Sequence, residues 1–135
     1  MPKPDFSGEW TLNKEASTLS PGASTVQSAR WIIEHREPSF RQQASFAFEG
    51  GTRDYEYELR SDAPAIPAGD AGGSLQWDGE VAVVTFRQPV PDGSPGLMTV
   101  SFRYELADDG RRIRASEQVR GTSWDQENVW IFERR

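Results

Sequence analysis

Glu117 lies between Ala115 and Val119 in the stretch RIRASEQVRG, and two-residue alternation puts these three side chains on one face of a strand. The stretch that follows, TSWDQENVWIFERR, alternates in the same way, with Trp124, Gln126, Asn128, Trp130 and Phe132 on a common face. If both faces turn inward, a carboxylate and two amides stand among aromatic rings. A buried carboxylate without a partner takes up a proton. One that is partnered anchors a ligand amine or hydroxyl, or serves as an acid or base. Gln42 adds a further amide, since FRQQASFAFEG sets it on the face of Phe40, Ala44, Phe46 and Phe48. His35, the sole histidine, shares a face with Ala29, Trp31 and Ile33.

Each of these residues also has a purely structural reading. Glu117 could be held by an Arg or Tyr as a buried hydrogen-bonded carboxylate. A single bulge near Gly121 would turn the whole patch outward. His35 could sit half exposed near a strand end beside Glu34 and Glu37. In TRDYEYELRS, Asp54, Glu56 and Glu58 share a face opposite Tyr55 and Tyr57, which makes the acids a solvated exterior rather than a cation site or a catalytic pair.

The elements that must position these groups are strands. Two-residue alternation recurs between turn signals from FSGEWTLN (6 to 13) to the C-terminus, and helical periodicity is almost absent. NKEAS after the first strand suits a turn or one short helix before Pro21-Gly22. DAPAIPAGDAGG (62 to 73) reads as a loop at a barrel rim, too short and too plain for a domain linker. Nine or ten antiparallel strands joined mainly by short turns result. A meander of that size hides its edges most simply by closing. The expected fold is all-β, a single antiparallel up-and-down β-barrel of about eight to ten strands over residues 1–135, with a short helical turn after the first strand. A barrel of that size holds side chains or one small ligand.

Composition narrows the function classes. The 135 residues are 36% hydrophobic and 11% aromatic, which fits a folded domain with one core. A formal charge of -6 gives no basic surface for a polyanion, so no nucleic-acid partner is expected. The absence of cysteine excludes disulfides, thiolate nucleophiles and Cys-ligated zinc, and a single histidine leaves no His-rich metal site. No metal site or cofactor is expected. Phosphate-loop and Gly-x-Ser-x-Gly patterns are missing. No apolar stretch reaches membrane-span length, and the N-terminus lacks a signal-peptide core, so no membrane role is expected. The chain as given reads as cytoplasmic, or as exported if a leader has been removed.

GEW at Gly8 to Trp10, on the first strand of an all-β meander, resembles the Gly-x-Trp signature of the calycins, the group that includes lipocalins and fatty-acid-binding proteins. In that group a basic residue of the last strand packs over the signature Trp, and the resemblance implies this role for Arg134 or Arg135. DFSGEWTLNKEAS, WDGE (77 to 80), YELADDGRRIR and VWIFERR together resemble a bacterial family of small lipocalin-like proteins without an assigned function. That likeness implies a lipocalin-like domain and carries no catalytic residues across. Resemblance to small haem-binding barrels of the nitrobindin type would make His35 an axial ligand, a minor alternative.

The leading expectation is a protein that binds a small, partly apolar molecule inside the barrel, as a monomer or homodimer. Trp10, Trp31, Tyr55, Tyr57, Trp124 and Trp130 would form walls, with Gln42, Gln126, Asn128 and Glu117 orienting the ligand. The alternative is an enzyme of isomerase, cyclase or hydrolase type using the same cavity, with Glu117 or His35 as general acid or base. A filled barrel acting through its surface is the third reading.

Overall fold

The computed structural model describes residues 4–21, 23–67, 70–90, 96–121 and 125–135. Nine strands follow one another: β1 (Gly8–Leu12), β2 (Val26–Arg36), β3 (Ser39–Phe48), β4 (Gly51–Arg60), β5 (Gly72–Asp78), β6 (Val81–Pro89), β7 (Leu97–Ala107), β8 (Arg112–Arg120) and β9 (Asp125–Arg134). A one-turn 3-10 segment, Ala23–Thr25, precedes β2. All pairings are antiparallel, in the order β4-β3-β2-β1-β9-β8-β7-β6-β5. Only β1 pairing β9 joins strands distant in sequence. The sheet curls until β4 and β5 approach without hydrogen-bonding to one another, which makes a nearly closed barrel.

The alternation read from the sequence is clearest on β2, β3 and β8 and is lost on the first half of β4, where residues 51–56, Tyr55 included, are all exposed. On β2, Val26, Ala29, Trp31, Ile33 and His35 are buried while their neighbours face water, and a register shift between Val26 and Ser28 accounts for the three-residue step at its start. The hairpin of β8 and β9 runs in unbroken register from Arg112↔Glu133 to Arg120↔Asp125, so no bulge reverses the Glu117 face.

One end of the barrel is sealed. Trp10 is fully buried and its indole N–H donates to the Phe6 carbonyl at 2.9 Å. The register places Arg134 opposite Trp10, and its guanidinium lies 4.3 Å from the centre of the indole ring. Arg134, not Arg135, is therefore the closing residue. It also donates to the Ser7 carbonyl and, through Nε, to the Gly110 carbonyl at 2.9 Å, tying the N-terminus to the β7–β8 turn. Gly8 leaves room for this: its φ is +134°, and a Cβ there would lie 2.6 Å from Arg134 Nη1. Trp31 stacks on Phe132 with ring centres 3.8 Å apart, filling the interior above the seal.

Candidate ligand-binding site

Packing ends above Trp31. From there to the β3–β4 turn the barrel holds a cavity of about 1000 Å³, open to solvent at its mouth and along the exposed half of β4. Its walls come from the inward faces of β3, β4, β7, β8 and β9, among them Phe46, Phe102, Val100 and Trp130, and its rim includes Ala23, Thr25, Gly50 and Gln88. The mouth therefore lies at the end opposite Trp10 and Arg134.

At the floor, three polar side chains close on one another. Gln42 is 2% exposed, and its Oε1 accepts from the Tyr57 hydroxyl and from the Tyr104 hydroxyl at 3.1 Å. The two phenol oxygens are 3.2 Å apart. Burial raises both phenols well above their usual range, and for Tyr57 the neighbouring Tyr104 adds to it. Two donors hold the amide oxygen, which leaves the Gln42 NH2 group without a partner among the described residues. Trp31 Nε1 is also buried and unpartnered there.

Higher on the wall, Glu117 Oε1 accepts from Asn128 Nδ2 at 2.9 Å and from Trp130 Nε1 at 2.8 Å. Asn128 Oδ1 accepts from the Ser20 N–H at 2.6 Å, and the Ser20 hydroxyl donates to Gln126 Oε1 at 3.1 Å. The segment after β1 is fastened alongside β9 by the Thr18↔Val129 bridge, which brings Ser20 to these amides. The two amides of the closing strand thus have named partners, and Glu117 is hydrogen-bonded on one oxygen.

Of the residues singled out from the sequence, Gln42, Trp31, Tyr55, Tyr57, Glu117, Gln126 and Asn128 all line this cavity. Trp130 lines it too, Trp124 falls outside the described residues, and Trp10, expected in the wall, lies instead in the sealed end under Arg134. His35 is elsewhere, in the sealed end between Phe6, Phe40 and Trp77. Rather than half exposed, it is 6% exposed. Its Nδ1 accepts from the Phe6 N–H at 3.2 Å, so Nε2 carries the proton and donates to Glu37 Oε1 at 2.7 Å. Glu37 is further held by Trp77 Nε1 at 3.0 Å and Ser61 Oγ at 2.6 Å. With both ring nitrogens occupied, His35 fastens the N-terminal segment and offers no open coordination position. Asp54 and Glu56 face outward, bonded to Ser45 and Arg41.

Several cavity residues were not singled out, Tyr104 and Arg53 among them. Tyr104 shares the inward alternation of Met98, Val100 and Phe102, and Arg53 stands two residues before Tyr55 on the same side of β4. The signal for both was strand parity. Ser20 had none, because it depends on where the segment after β1 runs.

The floor gives a prediction. Native phenols whose pKa lies above the unfolded value of about 10 bind protons that the unfolded chain has lost, so stability is intact below that pH and falls as pH rises beyond it. Of the three tyrosines, only Tyr55 is more than half exposed, at 54%. Absorbance titration of the phenolates is expected to show one group ionising reversibly and two ionising only with unfolding. Two or three freely reversible groups would contradict the buried floor.

No family model matches the chain, and no curated relative matches it. Solved structures do. A secretory abundant heat soluble protein 4 from Ramazzottius varieornatus superposes with a TM-score of 0.59 at 13% identity, covering 100% of this chain and 99% of that one. The REP1-NXSQ fatty acid transporter gives 0.58 at 16% identity, covering 97% and 96%. The siderocalin Ex-FABP, described as functioning through dual ligand specificities, gives 0.55 at 12% identity, covering 96% of this chain and 74% of its own. Likeness at these identities is likeness of fold. With the Gly-x-Trp strand, the arginine-covered indole and the nine-stranded near-closed barrel, it shows that this chain has the lipocalin-like, calycin-type fold.

Proposed function

We propose that the protein binds one small, partly apolar molecule inside the barrel. The observation that carries this reading is the cavity of about 1000 Å³, walled by aromatic and aliphatic side chains and marked by a few polar groups. Pockets that take small molecules are concave, mostly apolar and of roughly 300–1000 Å³. Fatty acid transport by a neighbour of the same fold, and ligand specificity in another, support binding in general. A reaction finds less support: Glu117 and His35 stand in different parts of the barrel and form no acid/base pair, and His35 has both nitrogens engaged.

The test is titration with N-phenyl-1-naphthylamine, a neutral probe whose emission rises in apolar surroundings. Saturable one-to-one binding is expected with a dissociation constant in the micromolar range. No saturable signal would remove the reading.

A further inference from the structure

We infer that the cavity selects organic cations, an ammonium on an apolar body, over carboxylic acids, and that Glu117 is the residue that touches the ammonium. This rests on the interior-binding reading above. Glu117 carries its two hydrogen bonds on the same oxygen. Oε2 has no hydrogen-bond partner among the described residues, although the side chain lines the cavity. A carboxylate held in place by two donors, with its other oxygen open to the hollow, is a preformed acceptor for N–H groups.

The surroundings are those that favour a cation. Phe102 is directly opposite Glu117 on β7, Trp130 donates to it, and Phe46 packs edge-on against Trp130 at 5.6 Å. Aromatic faces attract ammonium groups, most strongly where water is excluded. Among the described lining residues the other charged groups are Glu56 and Arg53. Glu56 is outward and paired with Arg41 at 2.7 Å. Arg53 is exposed at the mouth, where water and salt screen its charge.

The alternative is a carboxylate at the floor, received by the Gln42 NH2 group and Trp31 Nε1. Both of those donors are neutral. The Glu117 charge meanwhile reaches across the interior: after burial, it contributes to holding the phenols of Tyr55 and Tyr104 above their usual range. An anion beside Tyr104 would meet the same repulsion, with no buried cation among the described lining residues to offset it.

The experiment uses one ring system in three charge states: 1-naphthylmethylamine, 1-naphthylmethanol and 1-naphthylacetic acid, each titrated calorimetrically at neutral pH. The amine is expected to bind tightest and the acid weakest, with about a tenfold or greater gap between them. Glu117→Gln is expected to bring the amine down to the alcohol's affinity while N-phenyl-1-naphthylamine still binds. An acid that binds as tightly as the amine, or an amine preference that survives Glu117→Gln, would overturn the inference. If the neutral naphthylamine binds and none of the three naphthyl compounds does, the cation assignment falls and the container reading stands. If nothing binds, both fall. Should Glu117→Gln not fold, the order of the three affinities in the unmodified protein decides.

Discussion

Trp10→Ala is expected to lower stability by about 3–5 kcal/mol, the usual cost of deleting a fully buried large aromatic. For a chain of this length the melting temperature should then fall by roughly 10–18 °C. The size of the effect follows from what converges on the ring. Trp10 is fully buried, bonds the Phe6 carbonyl and lies under the Arg134 guanidinium. Its loss opens the sealed end and leaves that carbonyl unpaired. Arg134→Ala should cost less, on the order of 1–2 kcal/mol, because the indole remains packed. Arg134→Lys should recover little of that, since an ammonium cannot cover the ring and reach both the Ser7 and Gly110 carbonyls with a planar fork. Chemical denaturation of the three variants checks the order, and an unchanged midpoint for Trp10→Ala would contradict this account of the seal.

The largest effect on binding is expected from the double variant Ala44→Trp, Val100→Trp. Both residues line the cavity, on β3 and β7. The Tyr104–Gln42 hydrogen bond shows that these strands face each other across the interior. Two indoles from opposite walls would occupy the hollow, and affinity for N-phenyl-1-naphthylamine should fall by at least about tenfold, the equivalent of 1.4 kcal/mol. Overpacking in a filled core costs typically 1–3 kcal/mol, but here the added rings enter vacant space, so stability should change little. A large loss of stability with unchanged affinity would reverse that reasoning, placing the packed core where the cavity is described.

Most of the barrel is legible in the chain because period-two alternation is a local signal. Tyr55, Tyr57, Gln42, Glu117, Gln126 and Asn128 follow from parity alone, and so would Tyr104 and Arg53 have done. Parity says which face a residue takes but not how far along the barrel axis it lies. That is why His35, correctly turned inward, was grouped with a cavity it does not reach: its height is set by the Gly8↔Ile33 pairing and by Phe6 folding under it. The partners of the amides were illegible for a different reason. Ser20 reaches Gln126 and Asn128 through the path of an irregular segment, which no periodicity records. The pair sharing one oxygen of Glu117 is likewise a matter of cross-strand register: Asn128 sits opposite it, and Trp130 lies two residues further along the same face.

The proposed binding site is the interior of the barrel, not its surface. A competing concavity of about 560 Å³ lies on the outer side of β2, β3 and β4, where Arg30, Gln43, Asp54 and Glu56 gather around Ile32. A crystal structure of the protein with N-phenyl-1-naphthylamine separates the two most directly. Density for the probe is expected inside the barrel, above Trp31 and Tyr104 and against Phe102 and Trp130. Density on the outer groove, with side chains filling the interior, would contradict it.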